Sequence, residues 1–249
     1  MTEIKKVKKV EKEKENLNLN IEEMIKAGLH FGHKTSRIHP KMKPFLFGTR
    51  NAVHIIDLEK TLEELKKALS FIEQLILENK NLLLVGTKVQ AKKLVKKTAE
   101  ECDLPYVSER WLGGTFTNFE TIKKRIDYFK DLEKRKAEGN LEKYTKKEKA
   151  DIDKELRDLT LKVGGIKNLT QLPEAIFVLD IKKDNLAIKE AIKKKIKIIA
   201  LVDTNIDPTL VDYPIPANDD AMSSLKYVLE KIEEVILRAK LKAKNETKK

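Results

Sequence analysis

Three stretches of this chain are apolar at every consecutive position: Leu82-Leu83-Leu84-Val85, Ala175-Ile176-Phe177-Val178-Leu179 and Ile198-Ile199-Ala200-Leu201-Val202. A strand with one wet face alternates apolar and polar residues, so uninterrupted runs demand cover on both faces. Each run ends on Gly86, Asp180 or Asp203, and amphipathic helical patterns lie between them. Doubly covered strands joined through helices make a mostly parallel sheet with helices above and below. Strands are therefore expected at Asn81–Gly86, Ala175–Asp180 and Ile198–Asp203, with Tyr106-Val107 and Tyr213-Pro214-Ile215 as shorter ones. Helices are expected over Leu58–Glu78, Val89–Glu101, Asn185–Lys194 and about Asp219–Leu241. Asp57, Thr87 and Asn218 suit the caps of the helices that follow them, because a short oxygen-bearing side chain can accept from the unpaired first-turn N–H groups.

One segment breaks the alternation. From Asn118 to Val163 a helical pattern runs with no strand in it. Phe119, Ile122, Ile126, Phe129 and Leu132 step by three and four, Gly139-Asn140 supplies a turn, and Ile152, Leu156, Leu159 and Val163 step in the same way. The expectation is an antiparallel helical coiled-coil hairpin over 118–163, inserted into an α/β domain formed by 21–117 and 164–241. Gly113-Gly114 and Gly164-Gly165 read as turns by which the insertion leaves and rejoins. Residues 1–20 and 242–249 are dense in charge with little to bury, and are expected to be disordered basic arms.

Lys and Arg number 52 against 40 Asp and Glu, a formal net charge of +12. A basic surface attracts polyanions, of which nucleic acid is the commonest, although anionic membranes also fit. No apolar run approaches the roughly 20 residues of a bilayer span, and Met1–Asn20 lacks a signal peptide's apolar core. A soluble protein in a reducing compartment is expected, and the single cysteine, Cys102, leaves no intramolecular disulfide or thiolate cluster. Gly86-Thr87-Lys88 runs in the reverse order of a phosphate loop, and no Gly-x-Gly-x-x-Gly occurs, so no cofactor is expected. His30 and His33 have a metal-like spacing, with further ligands available only from Asp203 or Asp207 through folding; such pairs more often hydrogen-bond or meet phosphate, and no metal is assigned. Asp180, Asp203 and the loop Thr204–Pro208 follow strands, where parallel sheets place their ligand crevice. This keeps open an α/β nucleotide- or metal-binding enzyme near Gly86, Asp180 and Asp203, without any nucleophile and base at a telling spacing. The basic segment Lys34 to Arg50, with Phe31, Phe45 and Phe47 interleaved, offers phosphate-neutralising charge beside apolar anchors.

Longer motifs are more specific. Ala27-Gly28-Leu29-His30-Phe31-Gly32-His33, Pro40-Lys41-Met42-Lys43-Pro44-Phe45, Phe47 through Leu58, Val85-Gly86-Thr87-Lys88, Arg110-Trp111-Leu112-Gly113-Gly114-Thr115, Gly164-Gly165-Ile166-Lys167, Leu172-Pro173-Glu174-Ala175, Val202-Asp203-Thr204-Asn205 and Ile215 through Ala221 occur in one order. Together they resemble the bacterial S-two ribosomal protein family, collinearly from about Ile21 to Leu237. The chain departs from that pattern at Ile38-His39, where the family usually has Trp-Asn, and at Lys195-Ile196-Lys197, where Gly-Ile-Pro is common. The resemblance implies a flavodoxin-like, three-layer α/β domain with a projecting hairpin. It also implies a structural, non-enzymatic place in the cytoplasmic small ribosomal subunit, bound to its ribosomal RNA, to other small-subunit proteins and to the S-one ribosomal protein, and through that to messenger RNA. From charge and motif position, Lys34, Arg37, Lys41, Lys43, Arg50, Lys88 and Arg110 are expected RNA contacts, with Lys123, Lys124 and Arg125 joining them on the hairpin.

Overall fold

The computed structural model describes residues 19–138 and 145–246. Its main sheet has five parallel strands: β4 (Leu82–Val85), β5 (Tyr106–Val107), β6 (Ala175–Val178), β7 (Lys197–Val202) and β8 (Tyr213–Pro216). Their spatial order is β5-β4-β6-β7-β8. Counted by sequence within the sheet this is 2-1-3-4-5, the flavodoxin-like arrangement, with its switch point between β4 and β6. Every residue of β4 and β6 is buried, as the uninterrupted apolar runs require.

The pleat sends alternate residues to opposite faces. Leu82, Leu84 and Phe177 face one core, closed by helices α2 (Leu58–Leu77), α3 (Val89–Glu101) and α7 (Met222–Glu246) through residues such as Leu69, Val95 and Ile232. Leu83, Val85, Ile176 and Val178 face a second core, packed by α6 (Asn185–Lys194) through Ala187, Ile188 and Ala191. Each Leu, Ile, Val or Phe side chain taken fully out of water contributes about 1.5–3 kcal/mol before entropy is set against it. The same second core receives Ile122, Ile126, Phe129 and Leu132 of α4 (Phe119–Ala137) and Leu156, Leu159 and Val163 of α5 (Lys146–Val163). A Lys136–Asp153 ion pair of 2.7 Å links these two helices, and α5 opens on a capping box between Thr145 and Glu148. The turn expected at Gly139-Asn140 lies outside the described residues, as does most of the 1–20 arm.

Asp57 caps α2 as expected, accepting from the Glu59 N–H at 3.1 Å. Thr87 does not cap α3: its hydroxyl and N–H both donate to Asp184, at 2.8 and 3.2 Å. Asn218 accepts from the N–H groups of Asp220 and Ala221, shaping the turn before α7 rather than the helix itself. That helix continues to Glu246, so 242–246 is helical and not part of a disordered tail.

An N-terminal module was not legible as strands. Helix α1 (Ile21–Ala27) is capped by Asn20 and stopped by Gly28 at φ 78°. It leads into an antiparallel sheet in the order β1-β3-β2, from β1 (Phe31–Lys34), β2 (Leu46–Arg50) and β3 (Val53–Ile56). Asn51 and Ala52, at φ 50° and 58°, join β2 to β3 with the left-handed pair a tight hairpin turn needs. Thr204, fully buried after β7, fastens the module to the main sheet: its hydroxyl accepts from the His33 N–H and its carbonyl from the His39 N–H. The approach is close enough that a Cβ on Gly32 would stand 2.4 Å from the Thr204 methyl.

Candidate nucleic-acid interface

The crevice at the strand ends is filled by the protein's own charges. Lys88, just beyond β4, sets its ammonium 3.2 Å from Asp180, 2.9 Å from Asp219 and 2.6 Å from Asp220. Burial works against that charge, but the bonds to Asp220 and Asp219 and the charges of Asp219 and Asp180 outweigh it and raise the lysine well above its ordinary value. Asp219 is pushed up to about 6 by burial first, then by the charges of Asp180 and Asp203, because one ammonium is shared among several carboxylates. His33 joins from β1, with Nδ1 3.1 Å from Asp203 and Nε2 3.0 Å from the Asn205 amide. Its hydrogen bond to Asp203 raises its pKa against the opposing effect of burial.

This arrangement corrects two expectations. Lys88 does not present its charge outward as an RNA contact; it is largely buried and committed to internal carboxylates. Nor is the region near Gly86, Asp180 and Asp203 an open ligand crevice. A Cβ on Gly86 would lie 2.7 Å from Val95 and 3.0 Å from Leu179, and Asp184 takes the Thr87 N–H that an anion at this loop would otherwise receive. Of the suggested metal ligands, His33 and Asp203 do meet, with Asp220 as a third donor within 4.8 Å. His30 lies elsewhere, its ring 3.9 Å from that of Phe31, and Asp207 binds Lys41 at 2.7 Å.

The remaining predicted cations point outward. Lys34, Arg37, Lys43 and Arg50 are exposed on the N-terminal module, and Arg110, Lys123, Lys124 and Arg125 on the loop before α4 and its first turns. None of these eight forms an ion pair among the described residues, so their charge is available to an external anion. Lys41 is also exposed, but Asp207 and Thr209 hold its ammonium, and that contact keeps the Asp207 carboxyl far below the usual range. Phe31 and Phe47 are 48% and 81% exposed beside Arg50, lining an open cleft of about 680 Å³ with His30, Val53 and Ile55. Phe45, the third interleaved aromatic, packs inward on the second core.

Glu190 was missed in the sequence and organises the second cation group. From α6 its carboxylate accepts from the Gly114, Phe116 and Thr117 N–H groups at 2.8, 2.9 and 3.0 Å, and from the Trp111 indole at 3.2 Å. Burial raises its pKa, but these donors outweigh it and hold the carboxyl below its ordinary value. The loop leading from Arg110 into α4 is thereby fixed on the body. An acid on the apolar stripe of Ala187, Ile188 and Ala191 was the available signal.

Fold and site together define a flavodoxin-like α/β protein whose strand-end crevice is closed by its own ion cluster and whose N-terminal module, Arg110 loop and first turns of α4 carry cations without an ion pair among the described residues. Among the described residues no helix is long and apolar enough to cross a membrane. The chain belongs to the Ribosomal protein S2 family, whose model matches residues 24–239. It is 46% identical over 220 residues to the small ribosomal subunit protein uS2 of Dictyoglomus thermophilum, covering 88% of this chain and 89% of that one. The protein of the same name from Coprothermobacter proteolyticus is 45% identical over 222 residues, 89% and 83% of the two chains, and that of Dehalococcoides mccartyi 44% over 220, 88% and 90%. Membership makes the chain a structural protein and not an enzyme.

Proposed function

We propose that this protein is an RNA-binding constituent of the cytoplasmic small ribosomal subunit, holding ribosomal RNA through phosphate contacts and supporting subunit assembly. The observation that carries the reading is the set of eight exposed cations that form no ion pair among the described residues, on a chain whose relatives are small-subunit proteins. Unpaired Lys and Arg displace the counterions condensed on RNA, which gives affinity with little sequence dependence. Helices α4 and α5 act in this reading as the coiled-coil hairpin, carrying Lys123, Lys124 and Arg125 towards RNA. The cleft beside Phe31 and Phe47 is mostly apolar and suits contact with a neighbouring protein, the S-one ribosomal protein being the partner the family resemblance supplies.

The test replaces Lys34, Arg37, Lys43 and Arg50 by Glu and follows incorporation into reconstituted small subunits at several salt concentrations. Incorporation is expected to weaken steeply, and the difference from wild type to be largest at low salt, where the lost phosphate contacts count most. Unchanged incorporation would remove the basis of the proposal.

A further inference from the structure

Most helices of this protein neutralise their own lysines. On α3 Lys96 and Lys97 face Glu100 and Glu101, and on α7 Lys226 faces Glu230, each one turn away. Helix α6 and its flanks do the opposite. Lys182, Lys183, Lys189, Lys193, Lys194 and Lys195 are all exposed, and none forms an ion pair among the described residues. The two acids of this stretch, Asp184 and Glu190, are buried and turned to Thr87 and to the Trp111–Thr117 loop. Lys189 and Lys193 stand four apart on one face, a like-charge pair that opposes the helix, and Lys182 and Lys183 precede an N-terminus whose dipole disfavours cations. Lys197, the next lysine, is by contrast matched to Asp212 at 2.7 Å.

We infer that the outer face of α6 is a further phosphate-binding surface, occupied by ribosomal RNA. The inference rests on the proposed RNA-binding role and extends it to a face that no motif marked. Three observations favour RNA as the occupant. The charge is of one sign and lacks internal partners, so a polyanion would relieve repulsion the helix otherwise carries. Leu186 and Ile192, 48% and 51% exposed, interleave the lysines and offer apolar surface for sugars or bases. The face also continues the cation group already described. Leu186 reaches within 3.7 Å of where a Cβ on Gly113 would stand, and Glu190, from the buried side of the same helix, fixes the loop that carries Arg110. The loop that carries Arg110 is therefore seated against α6. Ten helical residues span about 15 Å, enough to follow two or three successive phosphates of a strand.

The test uses the full chain, small-subunit ribosomal RNA as the probe, and two multiple variants. One carries Gln at Lys182, Lys183, Lys189, Lys193, Lys194 and Lys195; the other carries Gln at Lys34, Arg37, Lys43 and Arg50. The slope of log affinity against log salt reports phosphate contacts, at roughly 0.7–0.9 per contact. The α6 variant is expected to lose about two slope units and at least tenfold in affinity at physiological salt, while its melting temperature stays near that of wild type, the relieved repulsion being offset by the lost dipole interaction of Lys193 and Lys194 in the last turn. An unchanged slope for the α6 variant beside a reduced one for the loop variant overturns the α6 surface and leaves the proposed function standing. An unchanged slope in both overturns both. Weaker subunit incorporation of the α6 variant with no change in its RNA slope assigns the face to a protein partner and also overturns the inference.

Discussion

Replacing Glu190 by Gln tests how the loop between Arg110 and α4 is held. The carboxylate accepts five hydrogen bonds, from the Trp111 indole, three backbone N–H groups and the Thr117 hydroxyl. A glutamine oxygen can accept two of these, and its amide hydrogens would confront the other donors. Phe116 is fully buried and Trp111 is 6% exposed, so donors released there have little access to water. A buried donor left unpaired costs about 1–3 kcal/mol, and the lost bonds are charge-assisted, which places the destabilisation at about 3–5 kcal/mol. At 3 kcal/mol, a chain of this size should melt about 6–12 °C lower. The assay is urea unfolding followed by tryptophan fluorescence, since the single tryptophan, Trp111, sits in the loop itself. The pH dependence supplies a second arm. A carboxyl held below its ordinary value stabilises above that value and loses the effect as pH falls through the depressed one, so wild type and variant should converge in acid. A loss below about 1 kcal/mol at neutral pH would refute the view that this carboxylate organises the loop.

Two further substitutions probe other parts of the fold. Asp219, pushed up to about 6, favours the folded state when protonated; its contribution is complete below the ordinary Asp range and is lost as pH rises through about 6, a change of about 3 kcal/mol. Asp219→Asn should therefore flatten the stability curve between about pH 4 and pH 6 in chemical unfolding; identical curves would show that the buried carboxylate titrates normally. Ala52→Gly should raise stability by about 0.5–1 kcal/mol, because Ala52 holds φ 58° in the β2–β3 turn, where a Cβ is disfavoured and glycine is not. A lower melting temperature for that variant would contradict the turn geometry.

Strands β4, β6 and β7 were legible because burial on both faces leaves an unbroken apolar run that no neighbouring element can disguise. The N-terminal sheet was hidden for physical reasons. Register shifts between Phe31 and Lys34 and between Leu46 and Gly48 break the period of two, and the turn is Asn51-Ala52 rather than a glycine pair. Lys88 was misread because its three carboxylates lie 92 to 132 positions further along the chain, a proximity only the sheet topology creates. Thr87 was misread in the same way: locally it suits a helix cap, while Asp184 is the partner folding provides. The exposed cations of the loops needed no tertiary knowledge, since long charged side chains stay at the surface unless something pairs them.

The seat of the N-terminal module has a consequence for how the chain is made. Residues 31–56 complete their own small sheet, yet Gly32 and His33 lean on Thr204 and Asp203, and the neighbouring Lys88 cluster is completed by Asp219 and Asp220. Synthesis runs from the N-terminus at about 5–20 residues per second, so these partners emerge roughly 10–35 seconds after the strands that need them. The first module to leave the ribosome is thus fastened only late, and during that interval its small sheet is held by little more than its own hairpin.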